Sequence, residues 1–202
     1  MNVHSWKLRD EMKRTAKRDD IIKASLDLIA EHGFHGAPIA LIAEKAGVGA
    51  GTIYRYFDSK DVLIAELYRE LEEEIVSTLR EGCPEEKSVR DRYIFMCRKL
   101  LEYLITHPLN FRFMEQYFNS PYGISLRRDK IIGKNDERNA FERMFEEGIS
   151  RQVLKDLPVY VLAALTFSPI VSLVRDHTLG LISLDGDVIA KSIDACWDGI
   201  KR

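Results

Sequence analysis

The side chains of this chain best equipped for chemistry cluster between positions 45 and 60: Lys45, Ala50, Gly51, Thr52, Tyr54, Arg55, Tyr56 and Lys60. Phenol hydroxyls, ammonium groups and a guanidinium in so short a span are the groups that bond phosphate oxygens and fix register on a duplex. Ala50 and Gly51 are small enough to let a helix sit deep against base edges. Thr52 can donate, accept or touch a thymine methyl, and Arg55 can read guanine or hold a phosphate. Lys45 can reach a phosphate or stand in solvent, and Tyr56 suits a mixed role, part packing and part contact. Catalysis finds no comparable material. The five histidines (His4, His32, His35, His107, His177) are scattered, none at metal-ligand spacing with Cys or a carboxylate. There is no G-x-S-x-G, no phosphate-cradling glycine loop and no H-E-x-x-H. No enzyme, metal site or cofactor is expected.

The elements that must hold these side chains are legible in residues 39–57, IALIAEKAGVGAGTIYRYF. Ile39, Ile42, Ala43 and Ala46 recur at helical spacing on one face. Gly47 follows, where a chain leaving a helix turns through positive φ at no steric cost. Val48 can plug the corner, and Ile53, Tyr56 and Phe57 restart a helical stripe from about 50 to 57. Small Ala43 lets the two helices pack closely at a steep angle. This is the spacing of a helix-turn-helix, whose second helix enters the DNA major groove; spacing alone also fits a helical hairpin within a bundle.

With DDIIKASLDLIAEHGF (19–34) before it and SKDVLIAEL (59–67) after it, the segment resembles the TetR family of bacterial transcriptional regulators. The matching residues are A-G-V, G-T-I-Y, Y-F and S-K in order, and they cover roughly the first third of the chain. The resemblance implies that Tyr54, Tyr56 and Lys60 contact phosphates, that the chain works as a homodimer, and that a ligand pocket lies between the middle helices. Lys60 also opens a helix, whose N-terminal amides favour an anion. Three departures put affinity and operator sequence in doubt. Ala37 and Pro38 stand where the family has a Thr or Ser cap, Gly49 replaces the serine that opens the recognition helix, and Ala40 and Leu41 occupy positions often polar.

Charge supports a DNA-facing end once it is not averaged. The whole chain carries −2, yet residues 1–18 hold Lys7, Arg9, Lys13, Arg14, Lys17 and Arg18 against Asp10 and Glu11, a local +4. Residues 61–202 hold 20 basic and 24 acidic side chains. A basic arm and an acidic body fit this division, although a basic stretch can also be a solvated tail. Three widely spaced cysteines (Cys83, Cys97, Cys196) without C-x-x-C suit a reduced, cytoplasmic setting. The N-terminus has no apolar run, so no signal peptide is expected. Residues 157–174 run without a charge for eighteen positions, the minimum for a membrane span. Pro158 and Pro169 within that run, and the lack of a second one, favour a helix buried on two sides instead.

The rest of the chain reads as all-α, with helices expected at about 17–32, 60–80, 88–106, 111–118, 136–152, 158–180 and 187–201. The expected organisation is a basic arm (1–18), a helix-turn-helix domain (19–65) and a helical effector and dimerisation domain (66–202). One recognition helix reads only a few base pairs, so such modules act as two-fold dimers on near-palindromic sites. The uncharged helix and the last helix offer the dimer surface, with Leu165, Val171, Ile189, Ile193, Trp197 and Ile200 as its residues. Tyr103, Phe111, Met114, Phe118, Phe141, Phe145 and Phe167 are adaptable or aromatic groups of the kind that line apolar pockets, or that simply fill a core. The expected function is a dimeric repressor released from double-stranded DNA by a small hydrophobic or aromatic ligand. The alternative keeps the DNA-binding dimer and gives its body a protein partner.

Overall fold

The structure, a computed structural model, describes residues 3–131 and 140–202. The helices described are α1 (Val3–Gly36), α2 (Ile39–Lys45), α3 (Ala50–Ile53), α4 (Lys60–Arg80), α5 (Val89–Thr106), α6 (Pro108–Phe118), α7 (Pro121–Ile131), α8 (Ala140–Ser150), α9 (Val159–Thr178) and α10 (Gly186–Ile200). Among the described residues the only β pairing is an isolated bridge between Leu154 and Lys201. Contacts divide the chain into two compact units, Met1–Leu71 with Leu109–Ile124, and Glu72–Pro108 with Ser125–Arg202.

In the first unit α2 packs on both α1 and α3. Ile21, Ala24, Leu28 and Ile29 of α1 are buried, as are Ile42, Ala43, Ile53, Phe57, Leu63 and Leu67. Truncating a fully buried residue such as Ile53 to Ala would cost about 2–5 kcal/mol. α1 begins at Val3, so most of the basic arm is helix rather than tail. It kinks at Gly33 (φ 74°, ψ 175°), where the chain folds back. Phe34 then packs its ring 6.2 Å from Phe113 and 5.5 Å from Tyr122. The segment Leu109–Ile124 belongs to this unit through Tyr117, stacked 4.1 Å from Tyr68, and Gln116, which donates to the Ala30 carbonyl at 3.1 Å.

In the second unit α5 lies against α8, α9 and α10. Tyr93 is fully buried, its ring 5.2 Å from Trp197 and its hydroxyl 3.4 Å from Thr166 Oγ1. Local chemistry sets the helix starts. The Ser88 hydroxyl accepts from Asp91 N–H to open α5, and the Asp185 carboxylate accepts from Asp187 and Val188 N–H to open α10. Helix α9 contains Pro169 without ending there.

Three expectations change. α3 is shorter than 50–57, because after Ile53 the chain tightens into i→i+3 bonds, Arg55 N–H to Thr52 and Tyr56 N–H to Ile53, which draw Phe57 into the core. Helix α7 was not anticipated at all, since Pro121–Ile131 has no apolar period; its start is set by Ser120, whose hydroxyl is 3.4 Å from Gly123 N–H. The long helix expected at 136–152 is seen as α8 (Ala140–Ser150), and positions 136–139 lie outside the described residues.

Candidate nucleic-acid interface

Helix α2 ends in a Schellman corner. Gly47 takes φ 65°, its N–H donates to the Glu44 carbonyl at 3.1 Å, and Val48 N–H donates to the Ala43 carbonyl at 2.9 Å. Val48 is half-buried in the corner. The chain therefore leaves α2 at a fixed angle and enters α3 with Gly49 as a cap that supplies no side-chain bond. Pro38 likewise caps α2 without one.

From α3 onward the structure separates contact groups from packing groups. Ala50, Gly51, Tyr54 and Arg55 are exposed, Tyr54 to 53%, while Thr52 and Tyr56 are half-buried. Ile53 and Phe57 are buried beneath them. A Cβ added at Gly51 would meet open space, so nothing within the subunit requires a glycine there.

The two lysines are more engaged than their residue type suggests. Lys45 is exposed but ion-paired to Asp27 at 3.1 Å. Lys60 donates its ammonium to the Phe34 carbonyl, and burial pulls its pKa down, opposed by neighbouring Asp61. Ser59 caps α4 by accepting from Val62 N–H at 3.2 Å. Asp61 accepts from the Tyr122 hydroxyl at 2.6 Å, which pushes that phenol up to about 12. Nothing in the sequence announces Tyr122 as a support of this helix start, because it lies 61 positions from Asp61 and only the fold brings the two together. Arg18, counted above with the basic arm, is withdrawn from it. Its guanidinium bonds Glu66 at 3.1 Å and Glu70 at 2.5 Å and lies 5.5 Å from the Phe57 ring centroid.

The residues named for the dimer surface divide. Leu165 is 42% exposed, and Val171 and Ile189 are half-buried. Ile193, Trp197 and Ile200 are buried inside the subunit, Trp197 with its ring 5.2 Å from that of Tyr93 in α5. The exposed face of α10 is rotated by one position onto Ser192, Ala195, Cys196 and Gly199. Together with Leu165, Pro169, Ser172 and Leu173 of α9 they line an open, mostly apolar groove of about 460 Å³. Helix α9 is long and apolar enough to cross a membrane, yet Leu162, Thr166, Ile170 and Val174 pack its inner side into the bundle. Only 22% of its apolar stretch is buried, so the expected burial on two sides is met on one.

The residues named for a ligand pocket also divide. Phe111, Met114 and Phe118 fall in the first unit, where Phe111 is buried and Phe118 stands edge-on to Tyr68. Tyr103, Phe141, Phe145 and Phe167 fall in the second, where Tyr103 stacks on His107 and Phe141 meets Phe167 edge-to-face at 4.7 Å. A separate cavity of about 280 Å³ in the second unit is lined by Cys83, Arg92, Met96, Arg143, Met144 and Glu147 among others. Arg92 clamps Glu147 there at 2.6 Å.

An all-α chain with a steep helix pair presenting small, hydroxyl-bearing and cationic side chains outward is a helix-turn-helix DNA-binding protein. Comparison with known proteins gives the family. Residues 21–67 match the bacterial regulatory proteins of the tetR family, and residues 88–201 match the tetracyclin repressor-like C-terminal domain. The chain belongs to the TetR family and is a transcriptional regulator. It is 34% identical to a TetR-family protein of Vibrio parahaemolyticus of known structure, with a TM-score of 0.73, covering 92% of this chain and 99% of that one. It is 25% identical over 183 residues to the fatty acid metabolism regulator protein of Bacillus subtilis, covering 88% of this chain and 94% of that one. The structure of Bacillus subtilis FadR in complex with stearoyl-CoA superposes with a TM-score of 0.68 at 20% identity, covering 89% of this chain and 95% of that one.

Proposed function

We propose that this regulator is a cytoplasmic homodimeric repressor that grips a near-palindromic operator and lets go when a small hydrophobic ligand binds. In this reading residues 1–18 are a basic arm, 19–65 read DNA, and 66–202 pair the subunits and receive the effector. Ala50, Gly51, Thr52 and Arg55 address base edges, while Tyr54, Tyr56, Lys45 and Lys60 address phosphates. Lys60 would exchange the Phe34 carbonyl for a phosphate oxygen. The observation that carries the proposal is the outward face of α3 at Gly51, where the subunit itself has no use for so small a residue.

The pairing surface is the groove between α9 and α10, to which Leu165 contributes, with half-buried Val171 and Ile189 on the same two helices joining the contact. Two symmetric subunits would cover a face that one subunit leaves uncharged and open. Release follows from a population shift: a ligand favouring a dimer whose recognition helices no longer match successive major grooves lowers DNA affinity by its differential binding energy. The ligand class to test first is a long-chain acyl-CoA, because a Bacillus subtilis relative is named for fatty acid metabolism and the FadR structure holds stearoyl-CoA. Tyr103, Phe141, Phe145 and Phe167 are the apolar groups of the second unit proposed to meet such a chain, and Phe111, Met114 and Phe118 are those of the first.

The test is selection of bound fragments from the host genome, followed by displacement of the best fragment with stearoyl-CoA. A near-palindromic consensus and loss of binding on adding the acyl-CoA are expected. Fragments without a shared two-fold motif would overturn the operator reading, and undiminished binding would overturn this effector class.

A further inference from the structure

Two oppositely charged side chains stand next to each other at the start of α4, and the fold sends them to different partners. Ser59 caps the helix, so Lys60 and Asp61 occupy its first turn. The Lys60 ammonium is bonded to the Phe34 carbonyl. The Asp61 carboxylate accepts from the Tyr122 hydroxyl at 2.6 Å. A third contact joins these two bonds, because the Phe34 ring lies 5.5 Å from the Tyr122 ring. Lys60, Phe34, Tyr122 and Asp61 thus form a closed circuit over three separate stretches of chain, all within the first compact unit. Tyr122 is held firmly in that circuit. Its ring stacks 6.1 Å from Tyr117, which itself stacks on Tyr68 of α4. Buried Gly123 follows, where any side chain would run into the Tyr117 carbonyl and the Phe118 backbone. Phe34 is anchored as well, since Gln116 donates to the Ala30 carbonyl just before the Gly33 kink.

The first turn of a helix draws anions, and a carboxylate placed there competes with a phosphate for the same field. Asp61 is such a carboxylate, and it is exposed. On a surface that meets DNA it carries the wrong charge. A short hydrogen bond from a neutral phenol answers this, because it fixes the carboxylate's direction and satisfies it without spending a cation. We propose that Tyr122 is a positioning residue for DNA binding, which holds Asp61 aside so that Lys60 and the start of α4 take a phosphate. Once Lys60 leaves the Phe34 carbonyl, the carboxylate next to it in the chain would compete for the freed ammonium. Tied to Tyr122, it does not. The inference rests on the phosphate role proposed above for Lys60, and adds a residue that acts through Asp61 rather than by its own contact with the duplex.

The experiment is a fluorescence-anisotropy titration of the genomic fragment selected above with the full chain, comparing Tyr122→Phe, Asp61→Asn, their double variant and Lys60→Ala. Tyr122→Phe removes one hydroxyl and keeps the ring, so affinity should fall by about fivefold or more for all sequences alike. Asp61→Asn alone should change affinity by less than about threefold. Added to Tyr122→Phe, it should restore binding to within about twofold of the unaltered protein. Asp58→Asn, which removes a neighbouring charge that Tyr122 does not hold, should not restore it. The salt slope should be shallower in Tyr122→Phe and recover in the double variant. A second pair leaves Tyr122 intact and covers a Tyr122→Phe chain that fails to fold. Asp61→Glu, whose carboxylate overreaches the phenol, should weaken binding by about threefold or more, and uncharged Asp61→Gln should not. Equal binding by that pair overturns the inference. Normal binding by Tyr122→Phe beside a loss in Lys60→Ala overturns the positioning role and leaves the phosphate role standing. Normal binding by Lys60→Ala removes the phosphate role and the inference with it. A loss in Tyr122→Phe that Asp61→Asn fails to restore, or that Asp58→Asn restores equally, overturns the inference in favour of packing or of overall charge.

Discussion

The same backbone device closes α2 and α9, and the two corners treat their apolar residue in opposite ways. After Gly47 the chain tucks Val48 into the angle between α2 and α3; after Gly180 it leaves Leu181 standing in solvent. The first corner is finished within the subunit, and what it displays beyond is polar and cationic: Thr52, Tyr54 and Arg55. The second leaves Leu181 exposed, near an open groove between α9 and α10 whose lining carries no charged side chain. A partner rich in phosphate fits the first surface, and an apolar partner fits the second. Backbone geometry alone did not decide between them; the side chains placed around each glycine did.

Several substitutions would break or sharpen that contrast. The largest effect belongs to Gly51→Phe. Open space at that Cβ predicts an intact fold, with melting unchanged or raised, and loss of DNA binding by about a hundredfold or more, on the order of two base contacts. Unchanged affinity in a titration would mean that the face of α3 does not meet the groove. Leu165→Asp should yield monomers by sedimentation and, with only one half-site gripped at a time, weaken operator binding by well over tenfold. Arg55→Ala and Thr52→Ala should each cost about 1–3 kcal/mol and alter the preferred sequence if they read bases. Tyr54→Phe should instead weaken all sequences alike, as expected of a phosphate contact, and a changed base preference would contradict that role.

A third corner provides a milder test. Gln152 closes α8 at φ 57° with Val153 N–H bonded to Gly148, the geometry that glycine adopts without cost. Gln152→Gly should stabilise the chain by roughly 1 kcal/mol, read as a raised melting temperature. The smallest effect is on acid stability. Hydrogen bonding to Arg69, with Arg18 adding its charge, holds the Glu66 carboxyl below its usual 4.5, and Arg92 does the same for Glu147. Groups with depressed pKa values contribute stability that is complete above about 4.5 and is lost as pH falls through the lowered value. Glu66→Gln and Glu147→Gln should therefore flatten the acid limb of the melting profile while leaving its neutral-pH shape unchanged.

What could be read from the sequence follows the strength of its periodic signal. The Gly47 turn, the buried Phe57 and the exposed Tyr54 and Arg55 are all visible in residues 39–57, because apolar spacing and one obligatory glycine fix them. Arg18 could not be read that way, since its partners Glu66 and Glu70 are brought to it only by the packing of α4. The outward face of α10 shows the limit most clearly. Large residues at 193, 197 and 200 gave the stronger stripe, and the subunit core took them. The outward face is made by Ser192, Ala195 and Gly199, whose small side chains leave almost no hydrophobic signature. Helix α7 left none at all, having neither an apolar stripe nor a charge pattern beyond its Ser-Pro start.

The most direct test of the account is the salt dependence of binding to a fragment selected from the host genome. Raising salt from about 50 to 200 mM should lower affinity by roughly a thousandfold or more, as phosphate contacts surrender the counterions they displaced. The loss should be shallower when Lys60 or Tyr54 is replaced. A flat response, or equal affinity for a scrambled fragment, would contradict the claim that α3 and its flanks grip DNA.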